Sequence, residues 1–140
     1  MKYVLDTNAV SALMKGDQGV IDRLKRVPKS DVYVPQPVLA EIAYGIERLP
    51  RSKRRESLQA RFDLVRSEIQ RIDWSDEVSD RFGSIKAALE KKGRRIEDFD
   101  AAIAAHAAAQ GATLVTANTD DMVRVPGLLI EDWSGKATRG

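Results

Sequence analysis

Short apolar runs alternate along this chain with stretches in which apolar positions recur every three or four residues. Tyr3, Val4 and Leu5 open it as a strand-like run that Asp6 stops abruptly. A short helix is expected from Ala9 to Lys15, anchored by Leu13 and ended by Gly16, and a second from Val20 to Arg26, stopping before Pro28. DVYVP, Asp31 to Pro35, is β-branched and aromatic and reads as a strand. Pro37 suits the first turn of a helix running to Pro50, with Val38, Ile42, Ile46 and Leu49 on its buried face. Arg51 to Ile69 repeats the helical spacing through Leu58, Phe62 and Val65. A weak strand follows around Ile72, then a helix capped by Ser75 and closed by Gly93. The helix FDAAIAAHAAAQ opens near Asp98 and ends at Gly111. TLVTAN (Thr113 to Asn118) and LLIEDW (Leu128 to Trp133) read as strands around a short DDMVRV helix.

Strands alternating with helices imply parallel pairing through right-handed crossovers. The fold class is therefore α/β, a three-layer α/β/α sandwich around a mostly parallel sheet of four to five strands. No linker or repeat divides the chain, so residues 1–140 are expected to form one domain. Sheets of this kind receive their ligands outside the carboxyl ends of the strands, where the strand order reverses.

Composition narrows the chemistry. The chain has no cysteine, which excludes disulfides, thiolate zinc sites and thiol nucleophiles. No apolar run reaches the roughly 20 residues of a membrane span, and the N-terminus lacks the order of a secretory signal, so a soluble cytoplasmic protein is expected. The formal net charge is only +2. Its distribution says more, because Arg48, Arg51, Lys53, Arg54 and Arg55 crowd one segment and Lys91, Lys92, Arg94 and Arg95 another. Such runs are either solvated surface or grips for phosphates.

Asp6 alone reads best as a helix cap. Its position at a strand's carboxyl end changes weight once the other acids are placed. Asn118, Asp120 and Asp121 follow TLVTAN, and Glu41 lies one turn into the helix after DVYVP. Asp98 and Asp100 start a helix that begins at the same edge, because the preceding connection returns there. The aspartates each have a local role available as a cap or dipole partner, whereas Glu41 stands among Val38 and Ile42 of the apolar face and has no such role to hand. Together they would repel unless a hard cation took them as oxygen ligands, for which Mg²⁺ or Mn²⁺ is suited. The lone histidine, His106, sits six residues beyond Asp100, about 240° around the helix, so the two side chains diverge. It is expected to be a packing or surface residue. No serine–histidine triad, G-x-G-x-x-G or P-loop sequence is present. What remains is oxygen-ligated metal chemistry with water as nucleophile.

LDTN at 5–8, VLAEIAYG at 38–45, DFDAAIAAHA at 98–107 and LVTANTDD at 114–121 stand in the order and spacing of the PIN-domain ribonucleases. The chain resembles that family from Lys2 to about Trp133, and most closely its VapC-type toxins of toxin–antitoxin pairs. The resemblance implies Mg²⁺-dependent endonucleolytic cleavage of RNA, with Asp6 and Asp100 as metal ligands and Glu41 positioning the metal or the water. It leaves the fourth position open between Asn118 and Asp121, and matches Thr7 and Thr116 to supporting hydroxyls. Arg94 and Arg95, and less directly Arg48 and Arg51, become candidates for holding RNA past the acidic rim. A cognate antitoxin, a homodimer and tRNA or another structured RNA as substrate are further implications. A DNase of the same fold is not separated by these residues. A non-catalytic binding domain would be expected to lack at least one of Asp6, Glu41 and Asp100, and all three are present.

Overall fold

A computed structural model describes residues 1–135; the single-domain expectation also covers residues 136–140, which lie outside the described part. Five parallel strands form one sheet in the order β3-β2-β1-β4-β5. They are β1 (Tyr3–Leu5), β2 (Val32–Pro35), β3 (Gln70–Ile72), β4 (Thr113–Val115) and β5 (Ile130–Glu131). Burial follows position in the sheet. Every residue of β4 is buried, as are Val4 and Leu5 in the central β1, while in the edge strand β3 only Ile72 is. An all-apolar run is what a strand covered on both faces requires.

The helices are α1 (Thr7–Met14), α2 (Gln18–Arg26), α3 (Gln36–Glu47), α4 (Lys53–Glu68), α5 (Asp76–Lys91), α6 (Asp98–Gln110) and α7 (Thr119–Met122). Several start on side-chain caps: Asp6 for α1, Asp17 for α2, Ser52 for α4 and Ser75 for α5, each accepting a backbone N–H from the first turn. Gly111, at φ 62°, ends α6 in the left-handed conformation that glycine adopts without a Cβ clash. The helices flank the sheet in the α/β/α arrangement expected of the pattern.

Two strands are shorter than the apolar pattern predicts. TLVTAN stops being strand after Val115, because Thr116 turns its hydroxyl into the carboxyl edge, and Asn118 begins the next helix. LLIEDW is strand only at Ile130 and Glu131. Trp133 is buried all the same, packed on Tyr3 with ring centroids 5.1 Å apart. Close packing also fixes Gly19, where an added Cβ would lie 2.6 Å from both the Gly135 nitrogen and the Trp133 carbonyl oxygen.

α5 and α6 run antiparallel. Lys86, late in α5, pairs with Asp98 at the start of α6 at 3.0 Å, and Trp74, just before α5, meets His106 in the second half of α6. α5 thereby returns the chain to the carboxyl edge, and α6 starts there. Ala101 to Ala107 are all buried, including His106, so α6 is covered on every side. Its alanines let neighbouring elements approach closely.

Candidate active site at the carboxyl edge of the sheet

The strand order reverses at β1, whose neighbours come from different parts of the chain, and Asp6 leaves the sheet at that point. Its backbone N–H donates to the Val115 carbonyl at 3.1 Å, so the chain is still anchored to β4 as it turns into α1. The carboxylate is 4% exposed, accepts the Ala9 N–H at 2.8 Å and is hydrogen-bonded by the Thr116 hydroxyl. Asp6 caps α1, and the same carboxylate lies within reach of the charge of Glu41. Thr116 also accepts the Asn118 N–H at 2.9 Å, so one buried hydroxyl ties the end of β4 to the end of β1.

Glu41 comes from the second turn of α3, and its carboxylate accepts a hydrogen bond from the Thr7 hydroxyl at the start of α1. Asp100 projects from the first turn of α6. Asp98, two residues earlier, is turned to Lys86 instead. Asp121, on α7, accepts from the Asn118 side-chain amide at 3.2 Å and lies 3.4 Å from Arg124.

These carboxylates sense one another. Burial first, and then the charges of Glu41, Asp6, Asp121 and Glu97 in that order, together raise the Asp100 pKa to about 6. Asp6 is also raised, by burial first and by Glu41, against the lowering effect of its hydrogen bonds. A half-buried carboxyl that holds its proton to about 6 marks a place where negative charge is in excess and a cation is favoured. Glu97 is the member that motif spacing passes over. The signal available was its place beside Asp98 and Asp100 at the same helix start.

The donor set is all oxygen, which fits Mg²⁺ or Mn²⁺ and not a sulfur- or imidazole-liganded metal. Among the described residues no group of three His, Cys, Asp or Glu side chains closes into a cage. Mg²⁺ needs none, since it binds through one or two carboxylates and keeps several waters. Asp6 and Asp100 would hold it, with Glu41 beside them.

The remaining candidates lie farther out. Arg94 and Arg95 are exposed in the connection before α6, Arg95 lying 3.8 Å from Glu90. Arg48 ends α3, about 10 Å along the helix axis from Glu41, with its guanidinium over the Tyr44 ring. Arg51 is exposed in the α3–α4 connection. His106 is fully buried, its Nδ1–H donating to the Ala102 carbonyl at 2.8 Å while Nε2 has no hydrogen-bond partner. Burial pushes its pKa down. A larger cavity of about 730 Å³ between α1, α2 and α4 is apolar and touches none of these groups.

The PIN domain family matches residues 3–128, which takes in all four segments that meet at this edge. The chain belongs to the PIN-domain family. Over 135 residues it is 36% identical to Ribonuclease VapC2 of Rickettsia felis, covering 95% of this chain and 98% of that protein. With the tRNA(fMet)-specific endonuclease VapC of Shigella flexneri it shares 31% identity over 134 residues, 96% of this chain and 99% of that protein. Among solved structures, VapBC2 of R. felis, bound to a DNA fragment from the promoter, superposes with a TM-score of 0.86 at 33% identity. That match covers 96% of this chain and all of the matched one. DNA-bound VapBC of Salmonella typhimurium gives a TM-score of 0.86 at 30% identity, over 95% and 98% of the two chains. This PIN domain is thus a VapC-type chain over nearly its whole length, and its acidic edge lies inside the shared region.

Proposed function

We propose that this PIN domain is a Mg²⁺-dependent endoribonuclease and the toxin of a toxin–antitoxin pair, acting in the cytoplasm on tRNA or another structured RNA. The observation that carries the reading is that Asp6, Glu41 and Asp100 converge on the strand-order reversal closely enough for their charges to interact, burial first and then Glu41 and Asp6 raising the Asp100 pKa to about 6. A bound Mg²⁺ supplies Lewis acidity toward the phosphate and a water of lowered pKa. Asp6 and Asp100 would hold the ion; Thr116 and the Ala9 N–H fix the Asp6 carboxylate, and Thr7 fixes Glu41. Glu41 orients the water. The one histidine is buried against Trp74 and cannot serve as base for attack by a 2′-hydroxyl. Direct attack on phosphorus leaves a 5′-phosphate and a 3′-hydroxyl.

The partner is a cognate antitoxin, supported by the VapBC complexes among the similar structures. An arginine suits an acidic pocket because its guanidinium pairs bidentately with carboxylates. The antitoxin would place one against Asp6 and Asp100, in competition with Mg²⁺, on a toxin homodimer. The test is to incubate the purified protein with total RNA and map the new ends, with and without EDTA. Ends carrying 5′-phosphate, lost on chelation, are expected. Cyclic-phosphate ends or cleavage that survives EDTA refute the mechanism, and an antitoxin indifferent to loss of its arginines refutes the inhibitory contact.

A further inference from the structure

A cleft of about 620 Å³ is continuous with the metal-binding edge, since Glu41 and Asp100 line one side of it, but the wall facing away from them differs in kind. Tyr44, one turn beyond Glu41 on α3, and Phe99, next to Asp100 on α6, line it, and both rings are exposed, at 69% and 46%. The Arg48 guanidinium stands 5.9 Å from the Tyr44 ring centroid. Two exposed aromatics in one cleft call for an occupant, because burying such rings is what stabilises aromatic contacts. Glu41, Glu97, Asp98 and Asp100 share the cleft, and away from a bound cation their charge disfavours a phosphate inside it. A neutral, flat group with N–H donors satisfies all of these constraints: its faces stack on the rings and its exocyclic amine donates to a carboxylate. Asp98 already pairs with Lys86, and Glu41 and Asp100 serve the ion and its water in the proposed reaction, which leaves Glu97 to accept.

We infer that the Tyr44–Phe99 cleft binds an unpaired, amine-bearing nucleobase of the RNA, next to the phosphate being cleaved, with Glu97 as acceptor. Arg48, stacked on Tyr44, stands outside the acidic part of the cleft where the backbone of that nucleotide would pass. The inference rests on the ribonuclease reading and adds a selection rule to it. Bases in a duplex have both faces stacked and their amines paired, so the cleft favours loops and single strands over helices.

The test uses an RNA hairpin with 2-aminopurine in its loop and the full chain carrying Asp100→Asn, which separates binding from turnover. Stacking should quench the fluorophore on binding. Adding Tyr44→Ala or Phe99→Ala should remove the quench and weaken binding about tenfold. Tyr44→Phe should preserve both, and a duplex of the same sequence should bind no better than the alanine variants. In chains with Asp100 intact, Tyr44→Ala should raise KM for the hairpin with little change in kcat. An unchanged quench and KM in both alanine variants overturns the inference, as does a loss that tracks halving of the protein's mass in solution, which would make the rings a contact between copies. Should the chain with Asp100 intact leave the hairpin uncut while the quench pattern holds, the ribonuclease reading falls and the base site stands.

Discussion

The first turn and the second half of α6 are built on opposite terms. At the first turn Asp100 faces other carboxylates, is half-buried and carries a charge that its surroundings disfavour. From Ala104 to Ala107 the helix is fully buried, and its one polar side chain, His106, stays neutral in a tight apolar setting. One end gives up stability to hold a charge excess that a ligand can relieve; the other supplies the packing that keeps this excess in place. A site of mutually repelling groups persists only when the structure around it is over-determined.

Asp100→Asn should break the comparison most severely. Removing the charge while keeping the shape should cut RNA cleavage on the order of 10³-fold, the scale of losing several kcal/mol of metal-dependent stabilisation. The same change should stabilise the metal-free fold at pH 7.5 by about 1–2 kcal/mol, discounted for the partial exposure of Asp100, seen as a Tm higher by a few degrees. A variant that is both inactive and less stable would show Asp100 to be a structural residue.

Ala105→Leu probes the other end. Helical spacing puts Ala105 between Ala101 and Ala108, which flank cavities shared with α5. Overpacking there should cost about 1–3 kcal/mol. Thermal unfolding should shift down, while cleavage per folded molecule at low temperature stays near wild type.

The two titrations have opposite signs, and this sharpens the contrast. Asp100 has its folded pKa near 6, above the ordinary 3.8, so the folded state takes up its proton first. Its contribution is favourable at low pH and is lost as pH rises through roughly 4 to 6. His106 has its folded pKa below 6.5, so the unfolded chain takes up that proton first, and stability is lost as pH falls through 6.5. In metal-free protein, Tm followed from pH 7.5 to 5 should fall more steeply than wild type in Asp100→Asn and less steeply in His106→Leu. His106→Leu should also cleave RNA within about twofold of wild type. Identical slopes in both variants would dissolve the distinction between the two ends.

The smallest effect belongs to Asp121→Asn. Asp121 adds to the charge around Asp100 but is shared with Asn118 and Arg124. A several-fold rise in the Mg²⁺ concentration for half-maximal cleavage would place it beside the ion. No change there, with Asn118→Asp tightening Mg²⁺ dependence, would make Asn118 the fourth position.

Much of this was legible in the residues. The runs at Tyr3–Leu5 and Thr113–Val115, free of charged residues, mark the central strands because strands covered on both faces lack the alternation of a half-exposed strand. The acids at 6, 41 and 121 could be placed at one edge from strand direction, and Asp100 by having the connection before its helix return to that edge. Strand ends were not legible, because Thr116 and Trp133 are as buried as strand residues for other reasons: one hydrogen-bonds a carboxylate and the other packs on a ring. His106 was located by angle, but whether it was covered depended on α5 lying antiparallel to α6, which no local pattern encodes. The base cleft was hidden for the same reason. Tyr44 and Phe99 lie 55 positions apart, and each alone reads as an ordinary surface ring.

The pairing of β1 with β4 has a bearing on how such a chain is made. Tyr3 lies opposite Thr113, and Leu5 opposite Val115, so the central strand waits for a neighbour synthesised last but one. At about 5–20 residues per second, Asp6 leaves the peptidyl-transferase centre on the order of ten seconds before the hydroxyl of Thr116 that will hold it. For about half of that interval the nascent chain carries Asp6 and Glu41 without Asp100 or the β4 edge. A ribosome translating this message therefore carries no completed acidic edge until nearly the whole domain has emerged.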